Sequence, residues 1–178
     1  MRSEADIDAF LARENAQEQR FELIEGAVRA RTGGTANQDL IGVNVAAALG
    51  NRLAGSRYRV HGSNLKVRSP SGAVMYPYAF VRCGPMNGAA TVVDDPMVVV
   101  EVAPLAAEQK RWAYQAIPSL RAILVISADR AAAELFTPEP DGSWRSRLHE
   151  GMDAVVATGV LDLELPLSEF YGGADLAA

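Results

Sequence analysis

A carboxylate interrupts the most apolar stretch of this chain: Glu101 sits within Val98-Val99-Val100-Glu101-Val102. A strand this apolar is covered on both faces. Burying a lone carboxylate is costly, so Glu101 must be paired, protonated or bound to a metal. Two readings stay open on this feature alone. In one, Glu101 lies at the strand's solvent end or in a structural ion pair. In the other, a rigid sheet presents it as a metal-binding carboxylate at a strand tip. Lys110 follows on the next predicted helix, and the strand before it is Val-Met-Tyr-Pro-Tyr-Ala-Phe-Val-Arg-Cys (74–83).

Other residues have types that can do chemistry. Cys83 ends that strand, and a nucleophilic role would require His61 or His149 beside it; a small residue at a strand end is the plainer reading. Trp112 and Tyr114 flank Lys110, as base-stacking groups or as packing against a sheet. Gly33-Gly34-Thr35 precedes a helix and could meet a phosphate at its N-terminus or simply form a loop. Arg57, Arg59, Lys66 and Arg68 alternate along two predicted strands. They could form one basic stripe for a nucleic-acid backbone, or a solvated sheet face.

The elements that must position these groups follow from periodicity. Residues 5–19 read as a helix, with Ile7, Phe10 and Leu11 at helical spacing. Arg20 to Arg31 reads as a β-hairpin with Glu25-Gly26 between its strands. A second helix starts near Asn37, taken as its N-cap, and ends at Gly55. Strands are predicted over 57–61, 63–68, 75–82 and 97–103. A helix of about ten residues then carries Lys110 and is broken at Ile117-Pro118. Ala122–Ile126 is a second buried strand. Short strands over 131–137, 143–149, 153–158 and 161–165 lead to one helical turn in Pro-Leu-Ser-Glu-Phe-Tyr. The fold class is α/β (α+β): a mixed-direction β-sheet flanked by helices.

The chain has 178 residues, 49% apolar and 22% charged, with a net charge of −5. This reads as a single domain, 1–178, with 172–178 as a tail. The charge argues against a broad nucleic-acid-coating surface but leaves room for a local basic groove. No apolar run of about 18 residues is present, so no membrane span is expected. The acidic N-terminus does not read as a signal peptide. A single cysteine cannot form an internal disulfide and suits a reducing cytoplasm. Two histidines and one cysteine are too few for a clustered zinc site.

The order of the site residues, an extended strand with Pro, a strand with an inward Glu, then a Lys, is the layout of PD-(D/E)XK nucleases. Such chemistry needs two acids from adjacent strands to hold Mg²⁺, which activates water while a lysine assists. The chain resembles the Uma-two family of restriction endonucleases. The matching stretches are FELIEG (21–26), GSNLKVRSPSG (62–72), MYPYAFVRC (75–83), VVDDPMVVVEV (92–102), KRWAYQAIPSLRAILVIS (110–127) and LELPLSEFY (163–171). The resemblance implies a restriction-endonuclease-like fold and a Mg²⁺- or Mn²⁺-dependent cleavage of DNA.

The residues that the resemblance would make catalytic depart from the family pattern. Tyr78 stands where the family has Asp, Gln38 where it has His, Asn64 where it has Asp, and Ala27 where it has Glu. The loop after Glu101 shrinks to 103–109. Glu22, Glu101, Lys66 and Lys110 survive as the catalytic set, with Glu101 the retained metal ligand. Both lysines of a chain with 15 arginines fall where the family keeps Lys. A phenol with a pKa near ~10 is a poor ligand for Mg²⁺, and Tyr78 is bulky enough to fill the space of metal and phosphate. Three expectations follow. The first is a degenerate nuclease-like protein with no metal bound and cleavage lost or very weak. The second is an active enzyme into which another acid (Glu22, Glu25, Asp94 or Asp95) has migrated. The third is a homodimeric interaction module.

Overall fold

The structure, a computed structural model, describes residues 4–106 and 108–176. The last two residues of the predicted tail lie outside this range. Helix α1 (Glu4–Asn15) leads into the hairpin of β1 (Phe21–Ile24) and β2 (Ala27–Ala30). Glu25 and Gly26 both adopt positive φ, 51° and 77°. That pairing is the type I′ turn, whose twist matches the flanking strands.

Helix α2 (Ala36–Arg52) begins one residue earlier than predicted, and Thr35, not Asn37, is its N-cap. The Thr35 hydroxyl accepts from the Gln38 backbone N–H, and the Gln38 side chain accepts from Thr35 N, a full capping box. The Asn37 amide instead donates to the carbonyls of Ala128 and Asp175, and its oxygen accepts from Asp175 N. The start of the predicted tail is thereby held against the body, and Ala174 and Leu176 pack on the main core.

The remaining strands are β3 (Tyr58–Gly62), β4 (Lys66–Arg68), β5 (Val74–Met75), β6 (Ala79–Cys83), β7 (Val92–Val93), β8 (Val98–Val102), β9 (Ala122–Ile126), β10 (Ala132–Pro138), β11 (Trp144–Glu150), β12 (Val155–Ala157) and β13 (Glu164–Pro166). Helix α3 (Gln109–Gln115) is shorter than predicted, and α4 (Leu167–Phe170) is the expected single turn. The single strand predicted over 75–82 is two strands in two sheets. Val74-Met75 joins a five-stranded sheet ordered β2-β1-β5-β4-β7, and Ala79–Cys83 joins a six-stranded sheet ordered β11-β10-β9-β8-β6-β3. Pro77 between them has no N–H to extend the ladder.

The six-stranded sheet is mixed, with β8 and β9 parallel and its other pairs antiparallel. Its two faces carry two cores. Val98, Val100 and Val102 pack with Ile41, Val45 and Leu49 of α2. Val99 faces the opposite side, with Ile123, Val125 and Tyr114 of α3. The strand period of two puts Glu101 on that second face, beneath α3. The site therefore forms where the two sheets meet, at the crossing Tyr76-Pro77-Tyr78.

Candidate active site

Glu22 reaches the site from β1, Glu101 from β8, and Lys110 and Tyr114 from α3. The Lys110 ammonium lies 2.7 Å from Glu22 Oε1 and 3.4 Å from Glu101 Oε1. The Tyr114 hydroxyl donates to the same Glu101 oxygen at 2.6 Å. The backbone N–H of Tyr76 donates to Glu22 Oε1 at 2.8 Å. Lys110 and Tyr114 are one helical turn apart on α3, so both present to one face.

Burial favours a protonated Glu101 and raises its pKa, while Lys110 and the Tyr114 hydroxyl oppose that rise. Burial alone would lower Lys110, but the carboxylates of Glu101 and Glu22 outweigh it and hold the ammonium above its ordinary value. Tyr114 is fully buried and pushed well up, by burial and by the adjacent Glu101 charge.

Tyr78 continues the ladder beyond β6, donating its N–H to Val100 O at 3.0 Å. Its ring lies on α2 at Gly42. A Cβ at Gly42 would come within 2.6 Å of Tyr78 Cδ1, and one at Gly34 within 3.1 Å of the Tyr78 hydroxyl. Burial and the Glu101 charge raise the Tyr78 pKa, so the phenol is neutral at pH 7. A cleft of about 700 Å³ opens here, lined by Glu22, Glu101, Lys110, Tyr78, Gln38 and Arg31 among others. A second hollow of about 600 Å³ adjoins it through Arg31, Gly33, Gly34 and Tyr78. Arg31 bridges the two: it donates to Ser63 O at 3.1 Å, and its guanidinium sits 5.4 Å from the Tyr76 ring centre and 6.0 Å from that of Tyr78.

The donor set does not fit the Mg²⁺ that the layout implies. Mg²⁺ demands a near-octahedral shell of oxygens. Here one oxygen of each of Glu22 and Glu101 already faces the Lys110 ammonium, and the position expected to supply an Asp carries a neutral phenol. Among the described residues no group of three His, Cys, Asp or Glu side chains is placed to hold a metal.

The other predicted site residues lie elsewhere. Lys66 is buried in β4, with its ammonium 2.6 Å from Asn15 Oδ1 and 5.6 Å from the Tyr76 ring centre. Burial lowers its pKa, and the charges that act on it are Glu14 and Arg20, not Glu101. The predicted basic stripe does not form. Arg57 and Arg59 flank or occupy β3 in one sheet, while Lys66 and Arg68 occupy β4 in the other. The alternation read from sequence runs through Ser63-Asn64, where the chain leaves one sheet for the other. Arg68 is also paired with Asp94 at 2.7 Å, and Arg59 donates to the carbonyls of Ser56 and Tyr58. Of the four acids considered as migrants, Asp94 pairs with Arg68, Asp95 pairs with Arg82, and Glu25 is exposed in the hairpin turn. Only Glu22 reaches the Glu101 cluster.

Cys83 is free and half-buried opposite Tyr58, whereas His61 stacks on Phe80 with ring centres 4.9 Å apart. Trp112 is exposed, with the Arg111 guanidinium 4.6 Å from its ring centre, and Tyr114 is the Glu101 partner described above.

Sequence reasoning missed Gly42, Arg31 and Glu14. A lone glycine in a helical run is a legible signal of close approach. Glu14 continues the helical stripe of Ile7, Phe10 and Leu11, which is the signal that could have found it.

A mixed sheet flanked by helices, with a Glu and a Lys converging beside a Pro-interrupted strand, defines a restriction-endonuclease-like fold. A solved structure from Anabaena variabilis, described as a putative nuclease belonging to DUF820, superposes with a TM-score of 0.70 at 14% identity, covering 93% of this chain and 96% of that one. The model of the Uma2 family, described as "Putative restriction endonuclease", matches residues 7–168, and the chain belongs to that family. An uncharacterized protein of Synechocystis sp. is 26% identical over 144 residues, 77% of this chain and 76% of that protein.

Proposed function

We propose that this Uma2-family protein keeps the nuclease fold but has lost metal-dependent cleavage, its cleft serving to bind a nucleic-acid backbone rather than cut it. The observation that carries this reading is Tyr78: a neutral phenol, seated against Gly42, stands where the family resemblance leads one to expect an Asp. Without that Asp the Mg²⁺ shell loses an anionic ligand, and the remaining carboxylates, Glu22 and Glu101, are turned to the Lys110 ammonium. Within the cleft, the Lys110 ammonium supplies the positive charge that balances Glu22 and Glu101. Arg29, Arg31 and Arg111 line the same walls and are suited to phosphate oxygens. No helix among the described residues is long and apolar enough to cross a membrane, and a half-buried free thiol at Cys83 suits the cytoplasm.

Incubation of the protein with supercoiled and linear DNA in Mg²⁺ or Mn²⁺ tests the reading. The expected result is retention of DNA without cleavage. Metal-dependent cleavage that Glu101→Ala abolishes contradicts it.

One observation favours a second reading, an active endonuclease with a rearranged site: two carboxylates, Glu22 and Glu101, do meet in the cleft through Lys110. In that case Glu22→Gln and Glu101→Ala each abolish cleavage, whereas replacing Tyr78 does not initiate it.

A further inference from the structure

Behind the cleft, on the far side of Glu22, lies a buried acid that the site chemistry does not use. Glu14 lies in the last turn of helix α1 and is 4% exposed. A carboxylate so enclosed has to be satisfied, and the partners of Glu14 are specific. Its Oε1 accepts from the Phe21 backbone N–H at 3.0 Å and from the Tyr76 hydroxyl at 2.8 Å, and its Oε2 accepts from Gln17 Nε2 at 2.7 Å.

These two Oε1 contacts bracket Glu22. Phe21 precedes Glu22 in β1, so gripping its N–H fixes the entry of that strand. Tyr76 is the residue whose own N–H holds Glu22 Oε1. One carboxylate oxygen thus ties down the Phe21 backbone and the Tyr76 side chain, and the Tyr76 backbone N–H in turn holds the Glu22 carboxylate that faces Lys110. The Tyr76 ring is steadied further by cations: Arg20, Arg31 and Lys66 lie 5.7, 5.4 and 5.6 Å from its centre. Lys66 is in turn anchored to Asn15, the neighbour of Glu14. The surviving Lys66 therefore belongs to this support and not to the cleft.

We infer that Glu14 is a positioning residue for the Glu22–Lys110–Glu101 cluster, acting through Phe21 and Tyr76. The inference relies on the proposed function only in taking that cluster as the working part of the cleft. It holds whether the cleft binds or cuts.

The chain's two lysines make the test direct. Protein labelled with ¹⁵N only at lysine gives two ammonium signals, assigned by Lys66→Arg. The exchange of the Lys110 ammonium with water reports how firmly Glu22 holds it. Glu14→Ala is expected to speed that exchange several-fold in the folded protein. Glu14→Gln retains an Oε1 acceptor for both donors and is expected to restore slow exchange. Tyr76→Phe, which removes one hydroxyl from the chain of contacts, is expected to speed it as well and serves should Glu14→Ala fail to fold. A role confined to stability lowers the melting temperature but leaves the folded-state exchange of Lys110 unchanged. That outcome, in Glu14→Ala or in Tyr76→Phe, overturns the inference. Metal binding to the wild-type protein bears on the proposed function and not on this one.

Discussion

The ring of Tyr78 rests on the backbone of Gly42, so closely that a Cβ there would lie 2.6 Å from Tyr78 Cδ1. A mid-helix glycine ordinarily costs about 0.5–1 kcal/mol relative to alanine. Here it makes room for the aromatic side chain of Tyr78.

Gly42→Ala is therefore expected to destabilise the protein by about 1–3 kcal/mol, the usual cost of overpacking. In a Tyr78→Ala background the same substitution is expected to stabilise by up to ~1 kcal/mol, because only helix propensity is left. A double-mutant cycle by urea unfolding checks this; additive effects show that the contact is not what Gly42 serves.

The pairing of Lys110 with two carboxylates predicts a strongly asymmetric response. Lys110→Met leaves the Glu22 and Glu101 charges facing each other and is expected to cost about 3–5 kcal/mol. Adding Glu22→Gln and Glu101→Gln is expected to recover most of that loss. Unfolding at pH 7 measures both, and a Lys110→Met protein as stable as the wild type refutes the ion-paired cluster.

Tyr114→Phe removes only a hydroxyl, but one that donates to buried Glu101 at 2.6 Å. A hydrogen bond to a charged group contributes about 1.5–3 kcal/mol, and a loss of that size is expected in denaturant unfolding.

Burial raises the Glu101 pKa above its ordinary value of 4.5. As pH climbs above 4.5, the unfolded chain gives up this proton before the native state does. The native state then holds more protons, and this group's contribution to stability falls until pH passes the native pKa. Arginine-paired acids such as Asp95 and Glu169, lowered in the native state, slope the other way. The difference in unfolding free energy between wild type and Glu101→Gln isolates the effect. That difference is expected to shift against the wild type as pH rises above 4.5.

The sequence made the hairpin at Glu25-Gly26, the buried strands at Val98 and Ala122 and the final helical turn legible, because each is written in local periodicity or turn chemistry. It was silent where a pattern persists across a change of sheet. Val74–Cys83 is an apolar run with no turn residue but Pro77, yet Pro77 divides it between two sheets. Arg57 to Arg68 shows basic residues at every second position within each of two strands, yet those strands are an edge of one sheet and an interior strand of the other, where Lys66 is buried. Glu101 and Lys110 were readable as a pair because a charge within an apolar run must find a partner. Glu14 falls on the same helical face as Ile7, Phe10 and Leu11, so its inward position was legible; its partners were not, because Phe21 and Tyr76 reach it from elsewhere in the chain. Thr35 was overlooked as the cap because Asn37 has the same preference, and only the reach of Gln38 back to Thr35 distinguishes them.

In the proposed reading, Tyr78 and the Glu22–Lys110–Glu101 cluster leave no divalent-cation site. Calorimetric titration of Mn²⁺ into the wild type and into Tyr78→Asp tests it most directly. No binding heat is expected from the wild type, and saturable binding is expected from Tyr78→Asp, where a second carboxylate joins Glu101. Saturable binding by the wild type that Glu101→Ala abolishes would contradict it, and would make Glu22 the second ligand of a working metal site.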